Sequence, residues 1–301
     1  MMRRTEPRAV LALVCVTAVW GSTFFLIKEI VDVIPPIDFL GVRFLIAGAV
    51  IAVVRARSLF RCPRPVWIRG AVLGLVYAGA QVLQTVGLQH THASVSGFIT
   101  GMYVVLTPVV LLAVFRVRVS RRGWAAILMA TVGLMVLSLR GLDLGVGEAV
   151  TLAGSLLYAV HIVLLGHWAP RGHVLELGAI QVITVGVVCT LAALPGGVAA
   201  PQTAAQWAQM LYMALVAGLA AIVVQTWAQA RMSPTAAAIV MTTEPLFAAL
   251  FAVLLGGEHP TVRLIVGGSL IVGAMLVSET APSTDPTATP PVTSLIKGDQ
   301  S

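Results

Sequence analysis

Long apolar runs broken by short polar stretches set the pattern of this chain. Runs of spanning length recur at about Ala9–Ile27, Pro36–Val54, Ile68–Leu88, Ala93–Phe115, Gly123–Leu139, Val146–Gly166, Leu175–Leu194, Met210–Ala230, Ser233–Leu255 and Val262–Ser278. At about 1.5 Å of rise per residue, such runs match a hydrocarbon core about 30 Å thick. Only helices and closed barrels satisfy their backbone hydrogen bonds in lipid, and these runs are continuous where a barrel would alternate. The pattern therefore predicts an all-α polytopic membrane protein with ten transmembrane helices. Composition agrees: 58% of the residues are hydrophobic and only 10% charged, whereas a soluble domain carries about a quarter charged.

A net charge of +7 would ordinarily raise nucleic acid as a partner, but the charges sit where a membrane protein keeps them. Arg3, Arg4 and Arg8 precede the first run. Arg55, Arg57, Arg61, Arg64 and Arg69 lie between the second and third, and Arg116, Arg118, Arg121 and Arg122 between the fourth and fifth. The opposite connections hold only Lys28, Arg140 and Arg263. The positive-inside rule then puts both termini in the cytoplasm of a multi-pass protein of the cell (inner) membrane, with lipid and no nucleic acid as its surroundings. Arg3 and Arg4 before an apolar run resemble the start of a signal peptide. That run is of full spanning length without a small-residue cleavage site, so a retained first helix is expected. Cys15, Cys62 and Cys189 show neither disulfide nor metal spacing and read as packing residues. The stretch 280–301, "TAPSTDPTATPPVTSLIKGDQS", has too little apolar content to pack and is expected to be a disordered cytoplasmic tail.

The chain also repeats itself. Shifted by 137 residues, "VSGFITGMYVVLTPVVLLAVF" overlies "MSPTAAAIVMTTEPLFAALFA", with Ser96 on Ser233 and Pro108 on Pro245. Shifted by 138, Trp20 meets Tyr158 and Arg43 meets Gln181; shifted by 140, Gly133 meets Gly273. Gln84–Thr85 recurs as Gln225–Thr226. The chain thus divides into a first repeat, residues 1–140, and a second, residues 141–279. Five spans in each half are an odd number, so the halves sit in opposite orientations. Inverted repeats place a site near the bilayer midplane and supply two mirror-related states, the basis of alternating access.

At this point the chain resembles the EamA-like family of the drug/metabolite transporter superfamily. The residues carrying the resemblance are "AVWGSTFFLIK", "FLGVRFLIAG", "GLQHTHASVSGFITGMYVVLTPV" and "AQARMSPTAAAIVMTTEPLFAALFAVLLGGE". The resemblance implies ten helices, cytoplasmic termini, a central cavity lined by helices 1–4 and 6–9, and export or exchange of small organic metabolites. The family often has an acidic residue after the fourth helix, where this chain reads "FRVRVSRRGW"; Glu258 keeps the counterpart in the second half.

Polar residues inside the spans are the candidate chemistry. Ser96, Thr100, Tyr103 and Thr107 form one stripe on the fourth span, beside a GxxxG at Gly97 and Gly101 that suits close packing. Tyr77, Gln81 and Gln84 share a face of the third span, as Gln225 and Gln229 do on the eighth. Such groups serve either as hydrogen-bonding glue between helices or as a cavity lining; their recurrence in both halves favours a mildly polar lining. Trp20, Ser22 and Thr23 lie in the outer half of the first span, where the tryptophan is an interfacial anchor or a lid. Tyr158 and His161 occupy the matching region of the sixth, and the imidazole is either a packing residue or a group that titrates near neutrality. His90 and His92 lack a third ligand, so neither a metal nor a cofactor is expected. Small residues of the fifth and tenth spans, such as Ser269 and Gly273, suit a homodimer or close packing within one chain alike.

Two ionisable residues lie deep. Glu244 is the twelfth of the 23 residues from Ser233 to Leu255, near the middle of a helix about 35 Å long. Arg43 sits about 10 Å below the outer end of the second span. A charge at mid-helix costs about 2.5–3.5 kcal/mol even on the most lenient insertion scale, so such residues pair, face the bundle interior or line a pathway. Glu244 is a candidate to bind a cationic solute group, to carry a proton, or to pair with Arg43. Pro245 removes a hydrogen bond to the carbonyl of Met241 and bends the helix, so Pro108 and Pro245 are candidate hinges.

No Walker motif drives transport with ATP, and no HExxH or nucleophile constellation supports a membrane enzyme. The expected function is a secondary transporter, an exporter of amino acids or similar small-molecule solutes, with Gln181 joining the cavity candidates above. An uncoupled facilitator and a non-transporting receptor or scaffold are the alternatives.

Overall fold

A computed structural model describes residues 6–116, 119–140, 143–168, 173–229, 231 and 240–279. The expected disordered tail and the first turns of the ninth run lie outside the described residues. Helix α1 spans Pro7–Val31, α2 Pro36–Val54, α3 Ala56–Phe60 and α4 Arg64–Gln89. Prolines stand in the first turn of α1, α2 and α4, where the missing N–H costs nothing and the fixed φ suits the helix. The fourth apolar run forms two helices, α5 (Ala93–Gly101) and α6 (Tyr103–Phe115), divided at Met102. Helix α7 (Arg121–Ser138) follows, then a two-residue antiparallel ladder of β1 (Leu139–Arg140) with β2 (Asp143–Leu144). The remainder comprises α8 (Val146–Trp168), α9 (Val174–Ala193), α10 (Ala204–Leu211), a π-helix (Tyr212–Ala220), α11 (Ala221–Gln229), α12 (Glu244–Leu254) and α13 (Val262–Glu279).

Among the described residues, six helical segments are long and apolar enough to cross a membrane: Pro7–Val31, Pro36–Val54, Arg64–Gln89, Ala93–Phe115, Val146–Leu165 and Leu175–Gly196. Ala204–Ala220, Glu244–Leu254 and Val262–Ser278 are shorter apolar helices. Large apolar side chains such as Leu11, Val53, Leu128, Leu191 and Ile265 are exposed on the bundle's outside. An aqueous surface of that kind would be costly, while in lipid it is the expected face. The chain is a helical, multi-span membrane protein.

The halves do not pack as separate bodies. Helix α2 packs against α9 and α7 against α13. Helix α4 lies against α8 and α9, while α1 contacts α11 and α12, and α5 packs on α12. Under the pairing of first-half with second-half runs, each of these contacts has its counterpart. The contact of α4 with α8 is matched by that of α1 with α11, and the contact of α4 with α9 by that of α2 with the π-helix.

Glycines bring the closest of these helices together. A Cβ at Gly97 would fall 2.5 Å from Ala248 Cβ, and one at Gly101 would fall 2.8 Å from Pro245 Cγ. The GxxxG face of α5 therefore seats α12 at the foot of Glu244. Gly133 and Gly267 meet in the same manner between α7 and α13, within one chain, and Ser269 is left exposed.

Candidate functional site

A cavity of about 260 Å³ lies among these helices. Residues from α1, α2, α4, α5, α6, α8, α9, the π-helix and α12 line it, so both halves contribute. Ten of the expected residues face it: Trp20, Thr23, Arg43, Tyr77, Gln81, Gln84, Thr100, Tyr103, Tyr158 and Glu244. Phe24, Ile27, Phe44, Ile162, Val182 and Met213 supply much of the apolar wall.

The neutral polar groups largely satisfy one another. Gln81 Nε2 donates to Tyr77 OH at 2.8 Å. Tyr158 OH donates to Gln84 Oε1 at 2.6 Å, and Gln84 Nε2 donates to Thr100 Oγ1 at 3.2 Å. This chain joins α4, α5 and α8. Trp20 Nε1 donates to the Ala217 carbonyl at 2.8 Å, which ties α1 to the π-helix. The indole is thus anchored by protein and lines the cavity. Rings cluster beside these bonds: Tyr77 meets Phe44 at 6.0 Å and Tyr158 at 5.9 Å between centroids, and Tyr158 meets Tyr103 at 6.4 Å.

The two charged residues behave differently. Arg43 is only 9% exposed, and its guanidinium lies over the Phe44 ring at 5.3 Å and the Phe39 ring at 5.9 Å. Among the described residues it has no hydrogen-bond acceptor, and Glu244 likewise has no hydrogen bond or ion pair. No Arg43 nitrogen lies within 4.0 Å of a Glu244 oxygen. The expected direct pairing of the two is therefore absent from this conformation, although both open onto one cavity.

Six expected residues lie outside the lining. Ser22 bonds to Tyr212 OH at 2.8 Å and to the Val19 carbonyl at 2.7 Å. Ser96 is buried, and its Oγ has no partner among the described residues. Thr107 donates back to the Tyr103 carbonyl at 2.8 Å. His161 Nε2 donates to Gln181 Oε1 at 2.5 Å, and Gln181 Nε2 continues to the Leu177 carbonyl at 3.1 Å. The imidazole also lies 5.2 Å from the Tyr77 ring, behind the wall. Gln225 Nε2 reaches Met241 Sδ at 3.8 Å. Gln229 ends α11, with a side chain outside those described. In two matched pairs, Arg43 with Gln181 and Glu244 with Thr107, the charged member faces the cavity and its neutral mate does not.

Of the candidate hinges, Pro245 stands in the first turn of α12, just after the helix breaks at Thr242 and Thr243. Thr17 Oγ1 and Thr243 Oγ1 are 3.0 Å apart across that break. Pro108 lies inside continuous α6, and the break in the fourth run falls upstream at Met102. Ser155 Oγ there donates to the Thr100 carbonyl at 3.0 Å.

A larger space, about 570 Å³, opens at the arginine-poor end of the bundle between Lys28, Glu29, Asp32, Glu148, Glu258 and Arg263. Its polar groups bind helices together. Glu258 accepts from the Ala93 amide at 2.6 Å and from the Ser94 amide at 3.4 Å, and bonds to the Ser94 hydroxyl, so it caps the N-terminus of α5. Lys28 Nζ donates to the Leu88 and Thr91 carbonyls at 3.1 and 2.7 Å. Thr91 Oγ1 donates to Glu148 at 2.8 Å. His92 Nδ1 is 3.8 Å from Glu258, and among the described residues no His, Cys, Asp and Glu group is placed to hold a metal. All three cysteines are free.

The family model of the EamA-like transporter family matches the chain twice, over residues 7–139 and 145–280. The chain belongs to the EamA-like transporter family. A protein of Archaeoglobus fulgidus described as an uncharacterized transporter is 28% identical over 273 residues, covering 89% of this chain and 84% of its own. An inner membrane transporter of Escherichia coli K12, YedA, also uncharacterized, is 27% identical over 279 residues and covers 89% of each chain. A crystal structure superposes with a TM-score of 0.64 at 20% identity, covering 91% of this chain and 96% of that one, and so shares its fold. With family membership, the chain is a membrane transporter of the drug/metabolite transporter superfamily, and the cavity is the natural place to look for its solute.

Proposed function

We propose that this EamA-like protein is a secondary transporter that exports amino acids or related small organic metabolites by alternating access. In this reading ten spans form two inverted repeats, residues 1–140 and 141–279, with both termini in the cytoplasm of a cell whose inner membrane holds the protein. The observation that carries it is the cavity shared by both halves, onto which Arg43 and Glu244 open. Intramembrane charges are rare and mark solute or ion pathways by default. A volume of about 260 Å³ sits just under the ~300–1,000 Å³ typical of drug-sized ligands, which suits a metabolite. Glu244 is the coupling candidate. His161, bonded to Gln181 behind the wall, is the weaker one.

The test is efflux of a labelled mixture of amino acids and other metabolites from proteoliposomes, with and without an imposed pH gradient. Solute-selective flux that follows the gradient supports coupled export. Selective flux indifferent to the gradient makes the protein a facilitator. Absence of flux from folded protein across the whole panel overturns the transport reading.

A further inference from the structure

Among the described residues, the cavity is unusual in which of its groups lack partners. Tyr77, Gln81, Gln84, Thr100 and Tyr158 spend hydrogen bonds on one another. Arg43, nine-tenths buried, and Glu244 make no hydrogen bond or ion pair among the described residues, and they do not reach each other. A buried guanidinium stacked on rings keeps its five N–H donors, and a carboxylate keeps its acceptor sites, so each is costly to leave unpaired away from water. Opposite charges that face one space but stand apart are satisfied together by a single molecule carrying both complementary charges. We infer that the cavity binds a zwitterion, with the solute carboxylate on Arg43 and its ammonium group on Glu244.

Three further observations fit this assignment. The planar guanidinium presents a fork that matches a carboxylate in two parallel bonds; it lies over the Phe39 and Phe44 rings and lines the cavity. A zwitterion adds no net charge to a site already holding one of each sign, so loading does not leave an uncompensated ion in the membrane. The remaining wall, with Phe24, Ile27, Ile162, Val182 and Met213, fits an apolar body between or beside the two charged ends. The class is therefore an amino acid with an apolar side chain.

This inference rests on the transporter reading, and its test separates the two. Binding of L-leucine, L-methionine and L-phenylalanine to the purified full-length protein is measured by calorimetry and by counterflow in proteoliposomes. Each is compared with its amide, which lacks the carboxylate, and its N-acetyl derivative, which lacks the ammonium group. Sugars, nucleosides, polyamines and dicarboxylates complete the panel. At least one of the three zwitterions is expected to bind, with its amide and N-acetyl forms weaker by about 10- to 100-fold. Arg43→Gln should then bind zwitterion and amide alike, and Glu244→Gln should bind zwitterion and N-acetyl form alike, while Arg43→Lys and Glu244→Asp retain part of the discrimination. Equal binding of the singly charged analogues by the unmodified protein overturns the inference whether or not a variant folds. So does wild-type discrimination in both Gln variants. Flux of other solutes with none of the three amino acids overturns it while leaving the transporter standing; no flux of any solute removes both.

Discussion

Glu244 has a different surrounding from the acidic residues at the arginine-poor end. Glu258 accepts two backbone amides and a hydroxyl, and Glu148 accepts from Thr91; both are structural by their bonds. Glu244 faces the cavity without such bonds among the described residues, so its removal leaves no broken network. Glu244→Gln should therefore fold with an unchanged melting temperature and lose transport, or lose the response of transport to an imposed pH gradient. Full activity with unchanged pH dependence in liposomes would contradict a functional role. The Tyr158–Gln84–Thr100 chain is the opposite case. Tyr158→Phe removes the donor to the half-buried Gln84 oxygen, at a cost of about 0.5–1.5 kcal/mol, readable as a lower melting temperature in detergent.

The helices around the cavity meet by close backbone approach. At the α5–α12 crossing, Gly97 leaves room for Ala248 and Gly101 for Pro245. A Cβ at Gly97 cannot be admitted without moving α12, and overpacking costs about 1–3 kcal/mol. Gly97→Ala should lower the melting temperature and impair transport, since α12 begins at Glu244. Adding Ala248→Gly should restore both; a double variant no better than the single one would show that this crossing is not what Gly97 serves. The α5 N-terminus gives a second expectation. His92 at its N-cap supplies no side-chain bond, and Glu258 does so from the connection beyond the far end of α12. Glu258→Ala should cost about 0.5–2 kcal/mol and speed amide exchange at Ala93 and Ser94, measured by mass spectrometry.

For the molecule as a whole, the matched contacts between halves are what a two-fold relation between them demands, and the proposed five spans per half would invert one half against the other. The proposed orientation has an accessible check. With Cys15 and Cys189 replaced by alanine, native Cys62, beside the arginine cluster, should react with an impermeant maleimide only after permeabilisation. His259→Cys, at the opposite end, added to a variant lacking Cys62, should react on intact cells. The reverse pattern would turn the protein over in the membrane and would make importer the better description of any inward-driven flux. Chain division into repeats does not by itself set a dimer: Gly133 and Gly267 are consumed by the α7–α13 contact within one chain.

Spanning helices, family resemblance and the two deep charges were all legible along the chain, because each depends on local composition or linear order. Apolar length reports the bilayer, arginine position carries the proposed orientation, and Glu244 is conspicuous in a run with no other charge. Which polar residues share one space depends on how each helix is rotated against its neighbours. Only packing decides that. Ser96 and Thr107 belong to the same stripe as Thr100 and Tyr103, yet small rotations and the break at Met102 turn them into helix contacts. The π-helix of Tyr212–Ala220 has no signature in its sequence, although it supplies the Ala217 carbonyl that anchors Trp20. Glu258 capping α5 joins residues 165 positions apart, and a helix that starts without its own cap reveals only that some partner is needed. The separation of Arg43 from Glu244 is of the same kind. Their depths could be counted from the chain, but the cavity that keeps them apart exists only once both halves have folded around it.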